Sequence, residues 1–132
     1  MIELIWDRGR SGTATPPGGA SITVGDASDF SPDDLAATAA AGCLMRTFLR
    51  RAEEVRVPIL SYASAAHVES PKGTGPAQVV IRCYVVAAEG SSAPEIQSLL
   101  RESVSQSPIC RMLGDCVTCQ ADIRCLCGAR AS

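Results

Sequence analysis

The stretch "SPDDLAATAAAGC", Ser31 to Cys43, constrains this chain more than any other. Ser31 is a good N-cap, and Pro32 loses nothing at the first helical position, where an N–H has no partner anyway. Asp34 can close a capping box with Ser31, and the carboxylates of Asp33 and Asp34 both suit the positive end of a helix. The pattern predicts a helix from Ser31 to about Arg51. Leu35, Ala39 and Cys43 then fall at i, i+4 and i+8 on one face, with Leu44 and Phe48 on the neighbouring apolar stripe. Between Leu35 and Cys43 lie alanines, one threonine and one glycine. So bare a helix lets another element come close. Gly42 costs about 1 kcal/mol against Ala in a helix interior, so it needs a packing or functional motive. From the residues alone, Cys43 is a small buried side chain in a tight contact or a reactive site. It lies too far into the helix for a strong N-terminal effect on its acidity, so a thiolate there needs a nearby arginine.

The rest of the chain supplies strands and two shorter helices. "IELIWD" and "SITVGD" read as strands, with Gly9, Gly12 and "TPPGG" as turn signals, so Ile2 to Asp26 reads as antiparallel hairpin structure. Residues 55–70 and 77–88 are strand candidates around the turn "SPKGTGP". "AQVVIRCYVVAA" is apolar on both sides and suits a central strand. Pro94 to Ser105 carries Ile96, Leu99, Leu100 and Val104 at helical spacing. "SPICRML" starts another helical piece, and "VTCQADIRC" alternates as a final strand. This order is α+β in two layers rather than a parallel βαβ repeat. One domain is expected over 1–132, with a loose tail at about 127–132.

Composition narrows the function. The net charge of −2 argues against nucleic acid as the main partner. The cluster Arg46, Arg50, Arg51 is interrupted by Glu53 and Glu54 and reads as a solvated face. With five aromatic side chains in 132 residues the core must be thin, and a partner subunit would help it. The opening "MIELIWDRGR" meets charge at once, so neither a signal peptide nor a membrane span is expected. Most of the seven cysteines, in a chain read as cytoplasmic, are expected to be free thiols. Cys116, Cys119, Cys125 and Cys127 invite a zinc reading, but strand alternation puts Cys119 and Cys125 about 20 Å apart. Small core side chains are the better reading for Cys119 and Cys125, with Cys127 near the terminus and Cys83 as strand packing. A redox pair of Cys116 and Cys119 is a further reading. His67 beside Glu69 reads as a solvated pair, and Asp7 and Arg8 as surface residues. Arg111, beside Cys110, is a candidate to share electrostatic work.

The opening stretch resembles the signature of the osmotically inducible protein C and organic hydroperoxide resistance family. There Asn/Ser-Pro-Glu-x-Leu leads through small residues to a cysteine. "GRSGTAT" in an early hairpin, the central helix, a β-hairpin and a late helix after a proline turn recur in the same order. The resemblance implies an OsmC-like fold: antiparallel sheets with a central helix, in an intertwined homodimer with active sites at the interface. It also implies a thiol-dependent peroxidase in which Cys43 is peroxidatic, Arg10 of "GRSG" contacts it, and Asp33 stands where a glutamate holds that arginine. The family's resolving cysteine falls at Ser107, and Cys110 lies one helical turn on, at the position of the family's serine. Cys110 can therefore resolve Cys43 or merely sit near it, while Ser107 before Pro108 also makes an ordinary N-cap.

On this reading Arg10 stabilises the Cys43 thiolate, which attacks the terminal oxygen of an organic hydroperoxide to give a sulfenic acid. Cys110 closes a disulfide, and an external dithiol reduces it. The reaction needs no metal or organic cofactor. The alternative is an OsmC-like protein with lost or altered peroxidase activity that binds a small apolar or thiol ligand at the dimer interface. A zinc-stabilised interaction module is the third reading.

Overall fold

In a computed structural model, which describes residues 1–26, 30–70, 73 and 75–126, the capping box forms. Ser31 N–H donates to Asp34 Oδ2 at 3.3 Å, and Asp34 N–H donates to Ser31 Oγ at 3.1 Å. The helix it opens, α1, spans Pro32–Glu54. It ends where Arg56 takes a left-handed φ of 60°, a conformation that a helix cannot continue through. The chain divides into two compact units, Met1–Ala36 and the part from Ala37 onward.

In the first unit β1 (Glu3–Arg8), β2 (Ser11–Thr15) and β3 (Ile22–Gly25) form an antiparallel sheet in the order β1-β2-β3. Gly12 lies inside β2 rather than in a turn, opposite Trp6. A Cβ there would stand 2.7 Å from the Ile5 carbonyl oxygen, so close backbone approach explains this glycine. Every residue of β1 is exposed, including Leu4, Ile5 and Trp6. This unit has almost no core of its own: Gly12, Ala14 and Gly25 are its buried described residues.

In the second unit β4 (Ile59–Glu69), β5 (Gln78–Ala87) and β6 (Val117–Cys125) form a sheet in the order β4-β5-β6. β4 and β5 pair antiparallel, as a hairpin must. β6 joins β5 in parallel, which corrects the expectation of purely antiparallel sheets. The reason is the connection: α2 (Ala93–Gln106) and α3 (Pro108–Leu113) carry the chain back to the starting end of the sheet. β5 is the central strand. Val79, Ile81, Cys83, Val85 and Ala87 are buried on its inner face. That face packs with Ala37, Ala40, Leu44, Phe48 and Ala52 of α1 and with Ile96, Leu99 and Leu100 of α2. Burying side chains such as Phe48 and Leu44 contributes about 1.5–3 kcal/mol each.

The buried stripe of α1 is therefore the Leu44 and Phe48 stripe, not the face of Leu35, Ala39 and Cys43. Ala39 is exposed, and Leu35 and Cys43 are half-buried. Among the described residues, outside the helix's own backbone, a Cβ at Gly42 would meet no atom within 4 Å. Among the described residues no helix is long and apolar enough to cross a membrane. The expected loose tail, with Cys127, and Pro71, Lys72 and Thr74 of the "SPKGTGP" turn lie outside the described residues.

Candidate functional site

Alanine at position 40 leaves room for α3 to lie against α1. Ser107 ends α2 by donating its N–H to Ser103 O at 2.8 Å, and Pro108 starts α3. Two residues further, Cys110 is buried, with its Sγ 3.8 Å from the Ala40 carbonyl oxygen. Side chains on a helix lean over the turn before them, so Cys43 leans towards this same turn of α1. The structure thus brings Cys110 to the neighbourhood of Cys43. Burial pushes the Cys110 thiol up, the Ser107 hydroxyl works against this, and negative charge on Cys43 or Cys83 pushes it further up. Ser107 does not act as the cap its sequence suggests. Its side chain makes no capping bond, and its Oγ is buried without a hydrogen-bond partner among the described residues. It acts on the neighbouring Cys110 thiol, whose pKa it lowers without meeting full hydrogen-bond geometry.

Arg10 and Asp33 belong to the first unit. Arg10 sits in the turn between β1 and β2, and its Nε pairs with Asp26 Oδ2 at 2.6 Å. The backbone clamps the same place: Asp26 N–H donates to Arg10 O at 3.3 Å, beside Gly25 at φ 135°. Asp33, expected to hold Arg10, is exposed and makes no ion pair or hydrogen bond among the described residues. Asp26 holds the guanidinium instead, because β3 ends directly beneath the turn. Arg10 also lines a cavity of about 340 Å³ walled by Leu4, Trp6, Val24 and Pro32, so one cation looks onto apolar side chains.

The sequence reading missed the chemistry around Cys83. Its Sγ lies 3.2 Å from Tyr62 Oη of β4 and 3.8 Å from Cys119 Sγ of β6. The Cys119 thiol and the Tyr62 hydroxyl, as donors on either side, hold Cys83 down at about 7 although burial opposes them. Cys119 is pushed up, first by its contact with Cys83 and then by burial. Tyr62 is pushed up by burial first and by Cys83 next. The pair thus shares one proton near neutrality. Cys83 as strand packing and Cys119 as a small core side chain are local readings, but which strand lies beside β5 is not a local property of the sequence.

Other expectations can be placed. Among the described residues no three His, Cys, Asp or Glu side chains are grouped to hold a metal ion. Cys116 ends a 3₁₀ turn at Gly114–Cys116, and the sulfur neighbour of Cys119 is Cys83. His67 and Glu69 form an exposed pair at 4.0 Å. Arg51 pairs with Glu54 at 3.6 Å and also with Glu102, while Arg111 is exposed.

Comparison with known proteins gives the fold a relationship. The chain is similar to an OsmC-like protein from Mycoplasma pneumoniae at 15% identity and TM-score 0.73, covering 95% of each chain. It is similar to an OsmC-like protein from Vibrio cholerae at 18% identity and TM-score 0.74, covering 93% of this chain and 97% of that one. The organic hydroperoxide resistance protein OhrB of Bacillus subtilis matches at 13% identity and TM-score 0.67, over 94% and 98% of the two chains. At these identities the likeness concerns the α+β fold. No curated protein sequence matches. A family model described as OsmC-like protein matches residues 25–122, three quarters of the sequence, and the chain belongs to the OsmC-like family.

Proposed function

We propose that this protein is a thiol-dependent peroxidase that reduces organic hydroperoxides at Cys43, acting as a homodimer. The observation that carries the reading is the place of Cys110: buried, with its Sγ 3.8 Å from the carbonyl oxygen of Ala40, three residues before half-buried Cys43 on α1. The family's hydroperoxide-resistance neighbours supply the reaction class. The Cys43 thiolate attacks the terminal oxygen of the hydroperoxide, the O–O bond breaks, and the alkoxide leaves and takes a proton. Arg10 stabilises the thiolate and the charge developing on the leaving oxygen. Asp33 orients Arg10 in the assembled protein, replacing the Asp26 pairing of the single chain. Cys110 attacks the sulfenic acid, forming a disulfide and releasing water, and an external dithiol restores both thiols.

Dimerisation is supported by three features. β1 exposes Leu4, Ile5 and Trp6, the α1 face with Ala39 and Gly42 is bare, and a Cβ at Gly42 would meet nothing within 4 Å among the described residues. A partner's backbone laid on that face explains a glycine that the single chain does not use.

The test is hydroperoxide consumption with a dithiol reductant, comparing the wild type with C43S and C110S. Unchanged turnover in C43S sinks the peroxidase reading. A second reading draws on the orphaned Ser107 hydroxyl, which stands where the family's second cysteine is expected. In it the peroxidase activity is lost or altered and the interface pocket binds a small apolar or thiol ligand. An inactive wild type that binds such a ligand favours this second reading.

A further inference from the structure

The parallel register sets Ile81 opposite Cys119 and Cys83 opposite Ala121. Cys83 and Cys119 are therefore diagonal neighbours on the helix-covered face of the sheet, with sulfurs 3.8 Å apart. Cys83 is wholly buried, in the same core cluster as Cys110. Cys119 is half-buried, and with Gln97, Leu100, Arg101 and Val104 of α2 it lines a cavity of about 280 Å³. Cys110 in turn touches the α1 turn next to Cys43. Four thiols thus run from α1, through α3, to a cavity between α2 and β6. Cys110 and Cys83 are buried and Cys43 and Cys119 half-buried, so each pair has one sulfur within an external reductant's reach, and that of the second pair opens on the α2–β6 cavity.

We propose that Cys83 and Cys119 form a second dithiol, which takes the disulfide from Cys43 and Cys110 and presents it to an external reductant at the α2–β6 cavity. This rests on the peroxidase reading for its oxidant. After hydroperoxide has produced the Cys43–Cys110 disulfide, the Cys83 thiolate attacks Cys110 Sγ. The Cys43–Cys110 bond breaks, Cys43 leaves as a thiolate, and a Cys83–Cys110 disulfide forms. Cys119 gives up its proton and attacks Cys83 Sγ, and Cys110 leaves as a thiolate and takes up a proton. The external dithiol attacks Cys119 Sγ, releases Cys83 as a thiolate, then closes its own disulfide and frees Cys119. Each exchange makes one S–S bond and breaks one. The net reaction converts a hydroperoxide and a dithiol into an alcohol, water and a disulfide.

Two physical features fit a carrier rather than a staple. The Cys119 thiol at 3.8 Å and the Tyr62 hydroxyl at 3.2 Å both stand where they stabilise a Cys83 thiolate, and they lower its thiol where burial alone would raise it. The two sulfurs stand 3.8 Å apart, beyond an S–S bond of about 2.05 Å, so closing the bond requires a shift of the strands that leaves it strained. A bond there is readily reduced, as a transient carrier requires.

Mapping disulfides by mass in the wild-type protein tests this. The protein is treated with one equivalent of cumene hydroperoxide, quenched in acid at intervals and alkylated. The Cys83–Cys119 disulfide is expected to grow as the Cys43–Cys110 disulfide decays. In C119A, Cys83–Cys110 and Cys43–Cys110 species are expected to accumulate, and dithiol-dependent turnover to slow by about tenfold or more. Cys43 oxidised while Cys83 and Cys119 stay reduced throughout overturns the relay alone. Cys43 that never oxidises overturns the peroxidase reading and the relay with it. Because the mapping is done on the wild type, the result does not depend on a variant folding.

Discussion

Cys43 and Cys83 show two ways of surrounding a thiol. Cys83 sits in the middle of a sheet, wholly buried, with a phenol on one side and a second thiol on the other. Its acidity is set by its own fold. Cys43 sits on the flank of a helix, half-buried, next to a glycine that faces open space. On the proposed reading its activation comes from the Arg10 guanidinium brought to it. The sheet builds a finished environment, and the helix leaves one to be completed. A residue of the first kind reports on one chain, and one of the second kind, on the proposed reading, on an assembly.

The largest effect that separates the two is removal of the nucleophile. C43S is expected to lower peroxide consumption on the order of 10⁴-fold or more, as loss of a catalytic nucleophile does. It should move the unfolding midpoint little, because the residue is half-buried and the change is one atom. Stopped-flow consumption and urea unfolding of the same preparation check both halves.

Next in size is Arg10→Ala. Loss of one stabilising charge at a reacting centre costs about 10²–10³ in rate. The contrast predicts that Cys43 becomes less acidic while Cys83 does not change, which pH-dependent labelling followed by peptide mass reads residue by residue. If R10A leaves the pH dependence of Cys43 labelling unaltered, the helix thiol is activated by something other than this arginine.

How far the sequence showed these two sites differs for physical reasons. The α1 start was legible because Ser31, Pro32 and Asp34 act within four residues of each other, and the capping box formed as read. The alternation of β5 and β6 was legible for the same reason. The contact of Cys83 with Cys119 was not, because it depends on β6 joining β5 in parallel across two intervening helices. Gly12 looked like a turn signal until its strand register set it against the Ile5 carbonyl. Ser107 looked like a cap because Ser-Pro commonly is one, and only packing reveals that its hydroxyl is buried. Local chemistry is written in local sequence, whereas registers and orphaned atoms belong to the folded chain.

Tyr62→Phe tests the sheet thiol with a smaller effect. A hydrogen bond to a charged group contributes about 1.5–3 kcal/mol, so the Cys83 thiolate should lose part of its stabilisation. The sign follows from linkage. Cys83 is depressed in the folded protein to about 7, so its contribution is present above the unfolded value and is lost as pH falls through about 7. Stability should therefore rise between neutral pH and the ordinary thiol range. Beyond that range Cys119, Cys110 and Tyr62, all pushed up, favour the unfolded chain and stability should fall. Y62F should flatten the rise and leave Cys43 labelling as it was. Urea midpoints measured across neutral to alkaline pH check the slope, and an unchanged slope would show that Tyr62 does not tune Cys83.

The smallest effect bears most directly on the unfinished environment. Gly42→Ala places a methyl group where no atom of the described residues lies within 4 Å outside the helix's own backbone. Within one chain the substitution should stabilise, by about 1 kcal/mol or less, because alanine loses less freedom in a helix than glycine. If a partner's backbone lies on that face, the same methyl group must meet it. Self-association measured by sedimentation over a range of concentrations should then weaken, even though the fold itself is firmer. Stability rising while association falls is a combination that helix propensity alone cannot produce. A G42A protein that is more stable and associates as the wild type does would mean that the space beside Cys43 is left for a small molecule and not for a second subunit.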